Sequence, residues 1–185
     1  MMYELPTSLE IDGVEHPIRS DYRAALDICV ALSDVEYTDS EKIVALLSLL
    51  YVSPEEIQDV DAAIKRGFWF IACGDDTGPQ KKRPKLVDWE QDFPLIVAPV
   101  NRLLGREIRA LEYMHWWTFI SLYQEIGECT FASVVNIRNK RAKGKKLEKH
   151  EQDFERENRH LVGFRRSNVT SAEKDFIEQL LRGGE

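Results

Sequence analysis

His115, Trp116 and Trp117 are adjacent and form the tripeptide with the most obvious capacity for chemistry in this sequence. A titratable imidazole beside two indoles could line a ligand pocket or stack a nucleobase. Consecutive residues of a helix point about 100° apart, however, so the two indole rings cannot form one stacking wall. We therefore interpret the aromatic residues as core packing. Trp116, Trp117 and Phe119 are also the candidates for an apolar partner-binding groove.

Asp88, Glu90 and Asp92 form a carboxylate cluster, with Glu107 farther along the chain. Clustered carboxylates can bind a divalent metal or act as general acid and base, which would make the protein a hydrolase. Carboxylates ahead of a helix more often cap its free amide groups and offset its dipole. No histidine lies near them at H-x-x-x-H or E-x-x-H spacing. We expect no metal site and no cofactor.

The sequence motifs of several common enzyme classes are missing. The chain contains no G-x-S-x-G, no G-x-x-x-x-G-K-[ST], no G-x-G-x-x-G and no H-E-x-x-H. Residues 74–78 hold two glycines but lack the Gly-Lys-Ser/Thr that follows in a phosphate loop. A triad assembled from distant residues would leave no such signature. No sequence motif assigns a catalytic role to any residue, and we expect a binding protein rather than an enzyme.

Residues 138–149 (RNKRAKGKKLEK) contain seven basic residues and one acidic residue, Glu148. Such a run can bind nucleic acid by neutralising phosphates, or it can be a solvated helix end that meets acidic groups of this protein or of a partner. No aromatic residue is interleaved for base stacking, and the formal net charge of −7 argues against general DNA coating. We favour protein contact and keep nucleic-acid binding as the alternative. The candidate contact residues are Arg138, Lys140, Arg141, Lys145 and Lys146.

Turn and capping signals divide the first part of the chain into a short hairpin and three helices. Asp12-Gly13 favours a tight turn between short apolar runs within residues 7–18. Apolar residues then recur at the helical period. The predicted helices are 20–34 with Ser20 as cap, 41–52 with Asp39 or Ser40 as cap, and 53–73 beginning at Ser53-Pro54.

The second part of the chain begins after an exposed loop, which glycine, proline and clustered charge predict at residues 74–85. Pro94 and Pro99 predict a kinked helix or two short helices within 88–104, because proline lacks an amide donor and crowds the preceding turn. The other predicted helical segments are 107–127, 130–140, a charged stretch at 147–161, and a C-terminal helix after a capping box at 170–173.

These elements predict a mainly α fold, a multi-helix bundle with a possible short N-terminal β-hairpin. The predicted sections, together expected to form one compact domain, are 1–73 (N-terminal, helical), 74–87 (linker loop), 88–163 (C-terminal, helical) and 164–185 (a capping or partner-binding helix). Phe176 and Leu180 lie on a narrow apolar stripe of the last helix. A helix this short is marginal alone, so it must dock on its own domain or on a partner.

The composition predicts a folded protein, since 43% of the residues are hydrophobic and 31% are charged. Cys29, Cys73 and Cys129 are an odd, widely separated set, which indicates reduced and mostly buried thiols rather than disulfides or a zinc site. No segment shows a leader pattern or approaches the roughly 20 apolar residues of a membrane span. We expect a cytoplasmic protein without membrane contact, and homo-oligomer formation stays open.

Several segments of the second part resemble one protein family. Residues 88–92 (DWEQD) look like its acidic segment, 104–108 (LGREI) like its glycine turn, and 111–119 (LEYMHWWTF) like its aromatic helix. With Ile137-Arg138 and the basic run, these segments make residues 84–160 similar to the bacteriophage gene-product-fifteen family. Its members are small proteins encoded in tail-gene clusters of phages and prophages of Gram-positive bacteria. The family pattern is broken at three positions, Pro94, Pro99 and Leu104.

The resemblance implies a gene beside the tape-measure gene and, by analogy with other tailed phages, a tail assembly chaperone in the host bacterial cytoplasm. Such a factor would bind the tape-measure protein, and other tail proteins are further candidate partners. It would keep the long hydrophobic helices of the tape measure soluble until the tail tube polymerises. No catalytic residue comes with the resemblance, and a fold alone would not supply one.

Overall fold

The structure, a computed structural model, describes residues 4–75 and 84–165. It begins with an antiparallel hairpin of β1 (Ser8–Ile11) and β2 (Val14–Pro17). The helices that follow are α1 (Tyr22–Ser33), α2 (Asp39–Leu50), α3 (Val60–Ile71), α4 (Trp89–Leu104), α5 (Trp116–Gln124), α6 (Thr130–Ala142), α7 (Lys149–Glu157) and α8 (Arg159–Val162). Short 3-10 turns occupy Pro54–Glu56 and Ile108–Ala110. The predicted mainly helical fold with an N-terminal hairpin is confirmed.

The hairpin turns at Asp12 and Gly13, where the Asp-Gly pair predicts it. Both residues have positive φ angles, 51° and 79°, which the favoured two-residue hairpin turn needs at both central positions. Ile11 pairs with Val14 across the turn. Leu9 and Ile11 are buried, so one face of the ribbon joins the core.

Helix α1 is capped by Asp21 rather than by the predicted Ser20. The Asp21 carboxylate accepts from the Arg23 amide at 2.9 Å, which satisfies one of the free amides of the first turn. The Ser20 hydroxyl is used elsewhere, since it lies 2.8 Å from the Tyr113 hydroxyl. The predicted helix is therefore right in place and wrong in its cap.

Helices α2 and α3 also start at other residues than predicted. Thr38 caps α2 in a capping box with Glu41. The predicted helix 53–73 is broken, because Ile57 adopts an extended conformation after the first 3-10 turn. Asp59 caps α3 by accepting from the Ala62 amide at 2.9 Å, whereas the Ser53 side chain makes no capping bond.

The predicted single helix over 107–127 is wrong. Asp21 and His115 form an isolated antiparallel bridge, and the Tyr22 amide donates to the Met114 carbonyl at 2.9 Å. This pairing with the start of α1 holds the chain out of helical conformation, so tertiary contact overrides the local periodicity. Helix α5 begins only after the bridge.

Helix α4 is continuous although it contains Pro94 and Pro99, so the expectation of two short helices is wrong. Asp88 caps its start by accepting from the Gln91 amide at 2.9 Å. Gly105 ends it in the left-handed conformation with φ 77°, which glycine adopts without steric cost. The Pro99 ring is buried, so it adds apolar contact where its missing amide weakens the helix.

One large hydrophobic cluster draws on both helical sections, with Phe70 from the first and Phe119 from the second among its fully buried members. Leu95 of α4 packs against this cluster and also against a smaller one. The buried members of the smaller cluster, on α6 and α8, are Val134, Ile137 and Val162. Helix α4 is thus shared by the two clusters. No helix within residues 4–75 and 84–165 is long and apolar enough to cross a bilayer.

Two predicted parts lie outside the described residues. These are most of the 74–87 linker and the C-terminal helix that would carry Phe176 and Leu180. The division of the chain into sections stays a prediction.

The three cysteines are free thiols of intermediate burial. Burial, with Cys73 nearby, raises the pKa of Cys29 to about 12, and burial raises the pKa of Cys73 to about 11. Both are therefore protonated and poorly reactive at neutral pH.

Candidate functional site

Trp116 is a core residue that joins α5 to the end of α3. Its side chain is 1% exposed, and its indole Nε1–H donates to the Ile71 carbonyl at 3.0 Å. The ring stacks on Phe119 at 5.7 Å and meets Trp89 edge-on at 6.2 Å. Phe119, itself fully buried, stacks on Tyr22 at 5.1 Å. Neither Trp116 nor Phe119 forms the surface of a groove.

Trp117 also forms a hydrogen bond with the C-terminal end of α3. Its Nε1–H donates to the Phe70 carbonyl at 2.8 Å, and its ring meets Trp69 edge-on at 5.4 Å. The last carbonyls of a helix have no partner within it. Trp116 and Trp117 therefore satisfy two successive carbonyls at the end of α3, and their rings diverge as helical spacing requires.

His115 is the N-cap of α5 and is 3% exposed. Its Nδ1 accepts from the Trp117 amide at 3.0 Å, and its Nε2 lies 2.9 Å from the Pro6 carbonyl. A neutral ring that accepts at Nδ1 carries its hydrogen on Nε2, which then donates to Pro6. Burial lowers the pKa of His115, and the Pro6 bond partly opposes that shift. The role of this histidine is structural.

The carboxylates considered for a metal or for acid and base chemistry are dispersed. Asp88 caps α4 and pairs with Lys85 at 2.9 Å. The hydrogen bonds from Arg109 lower the pKa of Glu107 to about 2. Within the described residues, no group of three or more acidic, histidine or cysteine side chains is arranged to hold a metal ion.

Asp92 and Arg138 form a buried ion pair that sequence reasoning missed. Their side chains are 0% and 3% exposed, and the pair is bidentate, with Nη2 to Oδ1 at 3.0 Å. The guanidinium also donates to three backbone carbonyls, those of Leu86, Leu161 and Val162. All five of its N–H groups are thereby used. The two residues are 46 positions apart, and no local pattern signals their pairing.

The basic run is partly absorbed by the fold. Lys140 pairs with Glu151 at 2.6 Å and Arg141 pairs with Glu155 at 2.5 Å, as expected for a helix end that meets acidic groups of the same protein. Arg138 is buried, so it is not an exposed contact. Lysines of the run that are exposed and have no ion pair within the described residues are Lys143, Lys145, Lys146 and Lys149.

Among the concave surfaces formed by the described residues, two are candidate sites for a partner. The first, named here the α1–α2 groove, has a volume of about 370 Å³ and lies between the first two helices. Val30, Ala31 and Leu49 give it apolar walls, and Asp27 and Asp34 add negative charge.

The second concave surface, the basic cleft, has a volume of about 800 Å³. It lies between α6, α7, α8 and the chain just ahead of α4. Its described lining contains one acidic side chain, Glu155. Its cationic lining residues are Lys85, Arg138, Arg141, Arg156 and Arg159.

The sequence matches the model of one known protein family over most of its length. The model of a family described as Bacteriophage Gp15 protein matches residues 1–162. The chain belongs to the bacteriophage Gp15 family. The match extends the resemblance of residues 84–160 to the residues that form the hairpin and α1, α2 and α3 of this Gp15-family protein. Searches of curated proteins and of solved structures gave no significant match.

Proposed function

We propose that this Gp15-family protein is a phage tail assembly factor, a chaperone that binds the tape-measure protein in the host cytoplasm without catalysis. Family membership is the observation that carries the proposal. The resemblance to proteins encoded beside the tape-measure gene supplies the partner. Its mechanism is reversible binding, which protects the apolar helices of the tape measure from aggregation before they are enclosed in the tail tube.

The α1–α2 groove is the surface that fits this task. An amphipathic helix binds by laying its apolar face into an apolar groove, and Val30, Ala31 and Leu49 offer such a floor. Tyr37 of its lining is 45% exposed. Val35 and Val44, which follow Asp34 and precede Ala45 of the lining in sequence, are 87% and 63% exposed. Exposed apolar groups gathered at a groove mark an interaction surface.

Charge at the groove specifies the segment that it accepts. Asp27 and Asp34 line the groove, Glu36 lies on the exposed chain that connects the two helices, and the exposed Asp39 is the first residue of α2. The favoured segment is therefore an amphipathic helix with basic residues flanking its apolar stripe, since like charges would repel.

The aromatic candidates do not contribute to this surface. Trp116 and Phe119 are occupied in the core, so alanine at either position would unfold the protein before it altered binding. Lys145 and Lys146 remain exposed candidates for a second, charged contact with a tail protein.

The test is co-expression with the tape-measure protein of the same phage or prophage, followed by affinity capture and sizing in moderate salt. We expect a soluble complex with the wild-type chain. Val44→Lys replaces an exposed apolar side chain beside the groove with a positive charge that repels the basic flanks of the segment, so capture should fall at least about tenfold. Val14→Lys is the matched control, because Val14 is 57% exposed on the hairpin, outside the described lining of the groove.

Circular dichroism must show that both variants are folded. A tape measure that stays insoluble beside folded wild-type protein would end the chaperone proposal. Equal loss of capture in Val44→Lys and Val14→Lys would instead reject the α1–α2 groove as the binding surface.

A further inference from the structure

The basic cleft gathers cations from separate parts of the chain around one concavity. Arg141 comes from α6, Arg156 from α7, Arg159 from α8 and Lys85 from the chain ahead of α4. Of the five cations in its described lining, these four are exposed and Arg138 lies buried beneath them. Glu155 carries the only carboxylate of the described lining, and it pairs with Arg141. The lining of the concavity therefore has an excess of positive side chains, although Asp88 and Asp92, outside that lining, pair with Lys85 and Arg138.

Arg141 and Arg156 also pair with a carboxylate of the same protein. Arg141 is fixed by Glu155 at 2.5 Å, and Arg156 by Asp153 at 2.9 Å. Asp153 is not among the residues that line the cleft, so it orients Arg156 without occupying the concavity. Guanidinium groups that are already oriented lose less entropy on binding a carboxylate, which they can grip with two parallel hydrogen bonds.

Arg159 is the cation of the cleft whose guanidinium is most available to a ligand. It is exposed and has no ion pair within residues 4–75 and 84–165. Helix α8, which carries it, is anchored because Arg138 donates to the Leu161 and Val162 carbonyls. Arg159 therefore lies at the edge of the basic cleft, on a helix whose position is fixed by the hydrogen bonds from Arg138.

Phe164 closes the floor of the cleft. Its ring lies 4.2 Å from the Arg138 guanidinium and 5.5 Å from the Lys85 ammonium. This stacking shields the buried ion pair from the cleft, so a ligand would meet the outer cations and not Arg138.

We propose that the basic cleft binds an acidic segment of a protein chain, whose carboxylates are held by Arg141, Arg156 and Arg159. This interaction is separate from the α1–α2 groove and does not rest on the tape-measure proposal. It gives the molecule two surfaces of opposite preference, one for a basic amphipathic helix and one for an acidic segment.

An acidic peptide fits the cleft better than a nucleic acid does. Duplex binding needs an extended positive face, whereas the first described part of this chain, residues 4–75, has 15 acidic and 5 basic residues and would repel a long polyanion. The described lining of the cleft contains one aromatic ring, that of Phe164, and this ring already stacks on Arg138. A short acidic segment needs only local complementarity.

The test uses the full chain and a fluorescein-labelled hexaglutamate peptide, with a labelled glycine-serine hexapeptide as the neutral probe. Fluorescence anisotropy in low salt should show saturable binding of hexaglutamate alone, weakened by added salt. The double variant Arg156→Glu, Arg159→Glu should raise the Kd at least about tenfold. Lys143→Glu, Lys149→Glu is the matched control, because it changes the net charge equally on exposed lysines outside the described lining of the cleft. We expect its Kd to rise by less than about threefold.

Each outcome decides the proposal. Absence of hexaglutamate binding by folded wild-type protein would overturn it, and so would equal weakening by both double variants, which indicates diffuse attraction. A DNA duplex that binds more tightly than hexaglutamate and depends on Lys143 and Lys149 would overturn it in favour of nucleic acid. Salt-sensitive self-association that is lost in Arg156→Glu, Arg159→Glu would support it and identify the acidic segment as part of a second copy.

Discussion

Arg138 shows how one side chain can connect distant parts of the chain. Its guanidinium binds Asp92 of α4 and the carbonyls of Leu86, Leu161 and Val162. Charge in a basic run is ordinarily solvated, and sequence reasoning placed this residue on the surface for that reason. The correct assignment needed knowledge of the tertiary fold, because the partner carboxylate is 46 residues away.

Arg138→Met should destabilise the protein by about 3–5 kcal/mol, since it leaves the buried Asp92 carboxylate without its positive partner and with only the hydrogen bond from the Asp88 amide. Urea unfolding measures this change in the free energy of unfolding. Arg156→Met is the control, because the Arg156–Asp153 pair is largely exposed and should contribute less than about 1 kcal/mol. Similar losses in the two variants would show that burial does not determine the strength of these pairs.

At the scale of secondary structure, hydrophobic periodicity was sufficient to predict that most helices exist, but not where they begin. Ser53-Pro54 has the composition of a helix start, yet α3 begins six residues later at the Asp59 cap. Asp59 was also available in the sequence, and local patterns could not decide between the two. Local sequence patterns could not predict where α5 begins, because the bridge between Asp21 and His115 determines that position.

The cap of α5 should make stability depend on pH. Burial lowers the pKa of His115 below its ordinary value of 6.5, so the unfolded chain takes up the proton first. Stability is complete above that value and falls as the pH drops below it toward the folded pKa. Protonation also removes the Nδ1 acceptor that the Trp117 amide needs.

Urea unfolding of the wild type near pH 7.5 and near pH 5.5 measures this dependence. His115→Asn provides the control, because asparagine is a good N-cap and does not titrate in this range. We expect a smaller loss of stability between the two pH values in the variant. An unchanged loss would assign the dependence to groups other than His115.

At the scale of the molecule, the shared core predicts one cooperative unfolding transition. The indoles of Trp116 and Trp117 bind carbonyls of α3, and Leu95 packs against both hydrophobic clusters. Tryptophan fluorescence and far-ultraviolet circular dichroism should therefore give coincident urea curves. Trp117→Phe, which keeps an aromatic ring but loses the bond to Phe70, should shift both curves together. Two separated transitions would show that the helical sections unfold independently.

Composition and periodicity were enough to predict the helical class, and motifs spread over α4, α5 and α6 were enough to indicate the family. The surfaces were not predictable in the same way. Both the α1–α2 groove and the basic cleft are formed by side chains from separate helices, whereas the aromatic residues that looked most functional in sequence are needed inside. Large aromatic side chains contribute most to a core, which is why their prominence is a poor guide to a binding site.

The uneven distribution of charge has a kinetic consequence. Residues 4–75 carry 15 acidic and 5 basic residues, while residues 84–165 carry 12 acidic and 14 basic residues. The molecule therefore has an electric dipole as well as a net negative charge. A charged partner feels this field at distances of about one Debye length, roughly 8 Å at physiological salt, and is turned toward the matching end before contact. The speed of encounter, more than the lifetime of a complex formed at the apolar groove, is then what the ionic strength of the surroundings controls.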